Sequence, residues 1–252
     1  MTVSSQGTYK NLIEMLDNSR KRYAERPLFG TKRDGNYEWT TYEQFAGKVD
    51  DLRGGLASLN ISSGDKVAII SNNTEEWAVT AYATYGLCGQ HIPMYETQLA
   101  KEWEYIVRDC SAKVLFVSNS TVLEQTLDFP ERIDSLEHVV LISGSISKEV
   151  KTYDDLLKTG RENPVEAQQP DSGSPMGMIY TSGTTGDPKG VILSHRNIIF
   201  ECQAVLPLLG MTENDRSLAF LPWAHVFGQV AEVHGLLNSG GSAGLVEDVN
   251  TL

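Results

Sequence analysis

Met176-Gly-Met-Ile-Tyr-Thr-Ser-Gly-Thr-Thr-Gly-Asp-Pro-Lys-Gly190 runs directly into Val191-Ile-Leu-Ser-His-Arg-Asn197. Met176 to Tyr180 reads as a strand and Gly190 to Leu193 as a second, which leaves Ser182 to Lys189 as the loop between them. Gly183 and Gly186 strip the loop of bulk so that backbone N–H groups can approach an anion, while Thr181, Ser182, Thr184 and Thr185 add hydroxyl donors. Pro188 fixes one φ and Lys189 brings a positive charge. A stretch rich in Gly, Ser and Thr is in general a solvated surface loop, but here the order of residues carries more than the composition. It is not a Walker A loop: the spacing after Gly183 lacks G-x-x-x-x-G-K-[ST], and a strand rather than a helix follows Lys189.

On the amino-terminal side two periodicities alternate. Tyr42, Phe45, Val49, Leu52, Leu56 and Leu59 line one face of a helix, with Thr41 and Gln44 at capping-box spacing. Gly64-Asp65 makes a turn before the apolar run Val67 to Ile70. The pattern predicts a helix capped by Thr74, a strand at Gln90 to Pro93, a helix capped by Thr97 and a strand at Lys113 to Val117. A helix near Thr121 to Ile133, a strand at His138 to Ile142 and a helix over Thr152 to Lys158 follow. Short strands, apolar on both faces and alternating with helices, indicate an α/β fold of mostly parallel sheets flanked by helices.

Asn163 to Pro175 combines three prolines with polar residues and no apolar period, the composition of a linker. It divides a 1–162 α/β region from a 176–252 loop-bearing region, with no internal repeat. Beyond the loop, Ser194 is positioned to cap a helix that has His195 in its first turn and an apolar face of Ile198, Ile199, Cys202, Val205, Leu206 and Leu209, and Ser242 to Val246 reads as a strand.

The 252 residues hold 21 Lys and Arg against 33 Asp and Glu, a net charge of −12 that argues against nucleic acid and against electrostatic adhesion to an anionic bilayer. With 40% hydrophobic and 21% charged residues the proportions are those of a globular chain. Cys88, Cys110 and Cys202 are odd in number and far apart, with no C-x-x-C pair, so neither a disulfide framework nor a zinc site is indicated. No cationic leader and no run of membrane-spanning length occurs. The expectation is a reducing, cytoplasmic protein; peripheral contact with a membrane and the oligomeric state stay open.

The ordered run Tyr180-Thr-Ser-Gly-Thr-Thr-Gly-Asp-Pro-Lys-Gly190 closely resembles the signature of the adenylate-forming (AMP-binding) superfamily, and Leu221-Pro-Trp-Ala-His-Val-Phe-Gly228 resembles a second block of its long-chain fatty acyl-CoA synthetase branch. Gly64-Asp-Lys-Val-Ala-Ile is similar to that family too, so the resemblance covers essentially the whole chain, most specifically after Pro175. It implies the incomplete N-terminal domain of an adenylate-forming fold and a two-step ligase: a fatty acid attacks ATP to give an acyl-adenylate and pyrophosphate, and CoA then displaces AMP.

By the same resemblance, Thr181, Ser182, Gly183, Thr184, Thr185, Gly186, Asp187, Pro188 and Lys189 cradle the β and γ phosphates, Thr184 approaches Mg²⁺, and Lys189 assists pyrophosphate formation electrostatically. A histidine beside Val226 and Phe227 is commonly a core or capping residue, yet in the Leu-Pro-x-x-His context His225 matches the position flanking the acyl carboxylate. Trp223 and Phe227 are equally core aromatics or walls of an acyl channel. His91, His138 and His234 are scattered without ligand spacing. Three later blocks of the family, for adenine, for ribose and for the mobile C-terminal domain with its lysine, are not found in these residues, so the chain alone is expected to have little or no ligase activity. A noncatalytic nucleotide-binding or interaction module and a ligase for aryl or medium-chain acids remain the alternatives.

Overall fold

The computed structural model describes residues 9–145, 150–181 and 187–246. In chain order it runs α1 (Leu12–Tyr23), β1 (Pro27–Arg33), β2 (Asn36–Thr41), α2 (Tyr42–Ser58), β3 (Lys66–Ile70), α3 (Glu75–Tyr85), β4 (Gln90–Met94), α4 (Ala100–Cys110) and β5 (Val114–Val117). It continues through α5 (Ser120–Glu124), α6 (Phe129–Arg132), β6 (His138–Leu141), β7 (Lys151–Thr152), α7 (Tyr153–Glu162), β8 (Pro175–Thr181), β9 (Lys189–Ser194) and α8 (His195–Leu209). Last come β10 (Arg216–Ala219), α9 (Val226–Gly228), a π-helix (Gln229–His234), α10 (Gly235–Ser239) and β11 (Ser242–Leu245).

Seven strands form one sheet in the order β7-β6-β5-β3-β4-β8-β9, parallel except for the β8–β9 hairpin. Alternate residues of its central strands feed two cores: Val67, Ile69, Val114 and Phe116 face one, and Ala68, Ile70, Leu115 and Val117 the other. That two-sided burial is what continuous apolar runs in a parallel sheet encode. α4, α5 and α6 cover the second face, while α1, α2, α3 and α8 pack into the first core, which also takes in Phe29, Ala243 and Leu245 of the smaller sheet.

The smaller sheet has the order β10-β11-β1-β2. Its antiparallel pair, β1–β2, turns at Asp34 and Gly35, both with positive φ, 48° and 81°. This is the Asp-Gly signature of a tight hairpin.

The α2 capping box forms as expected: Gln44 N donates to Thr41 Oγ1, and Thr41 N to Gln44 Oε1. Thr74, Thr152 and Ser194 also cap their helices. Two expectations are corrected. The helix expected to start at Thr97 has its N-cap at Leu99, because the Glu102 carboxylate reaches back to accept from Leu99 N–H. The helix near Thr121 to Ile133 is two short pieces, the second opened by Pro130, whose fixed φ and missing N–H suit a helix start.

The segment between α7 and β8 has no helix or strand, yet it is bonded to the body. Arg53 Nε donates to Val165 O at 2.7 Å, Gln168 N to Gly86 O at 2.8 Å, and Asn11 Nδ2 to Pro170 O at 2.9 Å. Among the described residues no helix is long and apolar enough to cross a membrane. All three cysteines are free thiols, Cys110 and Cys202 buried.

Candidate functional site

In a parallel sheet ligands gather outside the carboxyl ends of the strands, where backbone polarity and loop variety meet. Here the carboxyl ends of both sheets open onto one cleft of about 370 Å³. Ser71 and Asn73 follow β3, Tyr95 follows β4, Phe220 follows β10 and Val246 follows β11. Pro222, Trp223 and Ala224 complete its wall.

β8 is the strand beside β4, and Gly177 faces His91 across the pair. A Cβ at Gly177 would lie 2.2 Å from His91 O, so only glycine allows this approach. Beyond that pair β4 runs on to Tyr95, which lines the cleft, and β8 ends at Thr181. Thr181 and Lys189 are register partners at the loop end of the hairpin, both exposed. Directly opposed antiparallel residues project to the same face, so a hydroxyl and an ammonium stand together there. Asp187 and Pro188 lead into Lys189; Ser182, Gly183, Thr184, Thr185 and Gly186 lie outside the described residues.

Tyr180 anchors the hairpin next to its loop, a role the sequence reading did not assign. Its ring is buried opposite Gly190, and its Oη donates to Asp109 Oδ2 of α4 at 2.6 Å. Burial, then the bond to that carboxylate, pushes the phenol pKa up and keeps the donor protonated.

The second block emerges from the other sheet. His225 is exposed at the N-cap of α9, and its Nδ1 accepts from Phe227 N at 3.2 Å. A neutral ring accepting at Nδ1 carries its proton on Nε2, which leaves an N–H to donate outward. Phe227 is 56% exposed, whereas Trp223 is buried, packed against Phe29 and Trp77 with its Nε1 donating to Glu232 Oε2. Thr181 and Lys189 thus end the hairpin of the large sheet, while His225 follows the last residues of β10 in the smaller one.

Two of the histidines without ligand spacing, His91 and His234, prove to be neighbours and are joined by His195, while His138 sits on β6. His91, His195 and His234 pack around Tyr85, with Tyr82 Oη 2.9 Å from His234 Nδ1. Burial lowers His91 and His234 to about 3 and His195 to about 4, with His234 and His195 adding to the effect on their neighbours. Among the described residues no cluster of His, Cys, Asp or Glu could hold a metal. The three rings sit on β4, α8 and the π-helix, distances in sequence that no local pattern can bridge.

The AMP-binding enzyme family matches residues 16–252, and the chain belongs to that family. It is 30% identical over 237 residues to fatty acyl-CoA synthetase B of Dictyostelium discoideum, covering 87% of this chain and 35% of that protein. To long chain acyl-CoA synthetase 5 of Arabidopsis thaliana it is 28% identical, covering 97% of this chain and 40% of the relative. Among solved structures, the anthranilate CoA ligase AuaEII in complex with anthranoyl-AMP superposes with a TM-score of 0.87 at 24% identity, over 99% of this chain and 47% of that one. A long-chain-fatty-acid-CoA ligase from Archaeoglobus fulgidus gives 0.80 at 19% identity, over 96% and 48%. The chain therefore has the mixed α/β fold of adenylate-forming ligases and spans well under half the length of the curated relatives it matches.

Proposed function

We propose that these residues form the amino-terminal part of an ATP-dependent fatty acyl-CoA synthetase, which joins a fatty acid to AMP with release of pyrophosphate and passes the acyl group to CoA. The observation that supports this most is the β8–β9 hairpin, whose paired Thr181 and Lys189 flank the loop sequence, together with the Pro222–Ala224 turn that lines the cleft at the carboxyl ends of both sheets.

In this reading Thr181, the loop Ser182 to Gly186, Asp187 and Pro188 hold the β and γ phosphates. Lys189 offsets the charge that builds on them, acting as a fixed cation and not as a base. Mg²⁺, when bound, neutralises phosphate oxygens, and Thr184 is the residue proposed to approach it. The His225 Nε2–H orients the acid's carboxylate, with Phe227 and the Trp223 wall on the acyl side. The protein acts in the reducing cytoplasm, in keeping with its free thiols.

Calorimetry with Mg²⁺ and pyrophosphate or ATP tests the anion site. Binding at millimolar ligand is expected, and Lys189→Ala should weaken it about ten- to hundredfold, the worth of one charge-assisted bond of about 1.5–3 kcal/mol. No binding by the unaltered chain would overturn the reading. The 252-residue chain alone should show no fatty-acid-dependent pyrophosphate exchange above background, because orienting ATP needs contacts from later segments.

A further inference from the structure

Leu221 to Ala224, the segment that delivers His225, contains no helix or strand, yet it is held from two sides. From the carboxyl end of β3, Asn73 Nδ2 donates to Leu221 O at 2.8 Å and Ala219 O at 3.4 Å, and Asn73 Oδ1 accepts from Trp223 N at 2.9 Å. From the π-helix, Glu232 Oε1 accepts from Leu221 N at 3.3 Å and Oε2 from Trp223 Nε1 at 3.0 Å. Gln229 Nε2 adds a bond to Trp223 O at 2.8 Å. His225 N then donates to Pro222 O at 3.0 Å, so the turn passes its position directly to the histidine.

Resting on the reading above, we propose that Glu232 and Asn73 are positioning residues of the same site: they fix the Leu221–Ala224 turn and thereby the direction in which His225 presents its Nε2–H. Glu232 is 6% exposed, and among the described residues no cation pairs with it. A carboxylate is costly at such a depth unless its oxygens are used. Both of these are, each by a different donor of the turn. A glutamine would bring an NH₂ donor against an N–H that already seeks an acceptor, so the acid is the side chain whose two oxygens meet both donors. The wide π turn sets Glu232 toward the turn in a helix otherwise lined by Val230 and Val233, and such turns recur at functional sites. Asn73 and Glu232 are far apart in the chain and reach the turn from opposite sides, so either can be removed while the other remains.

The test uses the 252-residue chain with ¹⁵N-labelled histidine, comparing the ring-nitrogen signals of the unaltered protein, Glu232→Gln, Asn73→Ala and Leu123→Ala, with His225→Gln to assign the signal. Leu123 is buried in the other core and controls for lost stability. A single Nε2–H tautomer is expected for His225 in the unaltered chain and in Leu123→Ala, replaced by an averaged pattern in both Glu232→Gln and Asn73→Ala. If the His225 signals in those two variants match the unaltered chain, or if Leu123→Ala loses the single tautomer as fully as they do, the proposal is overturned. Should one variant fail to fold, the other decides. Because no ligand is present, the outcome is separate from the anion-binding test: pyrophosphate binding with unmoved His225 signals removes the clamp alone, and the reverse pattern removes the ligase reading alone.

Discussion

The hairpin that carries Lys189 and the turn that carries His225 are held in opposite ways. The β8–β9 hairpin ends on an edge strand whose residues Lys189 to Ile192 are exposed, and it is fixed from below by the β4 pairing and by Tyr180 on Asp109. The Leu221–Ala224 turn has no strand partner and is instead held by buried side chains from two elements. The contrast separates labour: a segment that must grip and release a polyphosphate is tethered at its base, whereas one that must aim a single imidazole is gripped along its length.

The strongest attack on this comparison strikes what both segments share. His91 lies under the hairpin, His234 in the π-helix that holds the turn, and His195 at the start of α8 between them. Unfolded, each titrates near 6.5; folded, each is pushed down to about 3 or 4. Their neutral burial therefore contributes in full above about pH 6.5 and is lost as the pH falls toward 4, together about 4 kcal/mol by pH 5.5. Calorimetric melting should show a steep fall in Tm from pH 6.5 to 5, and His91→Leu should flatten it by about a third; a Tm level across that range would refute the linkage.

A second attack separates the segments. Gly177→Ala forces a Cβ into His91 O, and the overpacking should cost about 3 kcal/mol, or about 6–12 °C in Tm. Hydrogen exchange should then quicken in β4 and β8 while the amides of Leu221 and Trp223 keep their protection; equal loss in both would mean the segments are one unit.

The mildest change is Tyr180→Phe, which removes the bond to the Asp109 carboxylate at a cost of about 1.5–3 kcal/mol. It should weaken pyrophosphate binding without altering the His225 signals. Unchanged binding would show that the pairing with β4 alone sets the hairpin.

Much of the large sheet was legible because its signals are local. The Tyr42-to-Leu59 rhythm, the Thr41–Gln44 box and the short apolar runs each lie within one element, and each element formed. The four-stranded sheet escaped because β1 pairs in parallel with β11 more than 200 residues away, a partnership no window can contain; only Asp34-Gly35 offered a local sign of the β1–β2 hairpin. At the site, Tyr180 to Gly190 and Leu221 to Gly228 stood out as ordered blocks. The residues that support them did not: Asn73 looks like a solvated turn residue and Glu232 like an exposed helix position, until the fold brings both to one turn.

Asn163 to Pro175 has the composition of free chain, yet three bonds pin it in succession to Arg53 of α2, to Gly86 just beyond α3, and to Asn11 just before α1. Chain measured out in this way has no spare length. A strand slips along its neighbour only if the chain leading into it can pay out another residue, and a slip of one would turn every side chain of β8 to the wrong face. What reads as a loose connection thus sets the alignment of the strand that follows it.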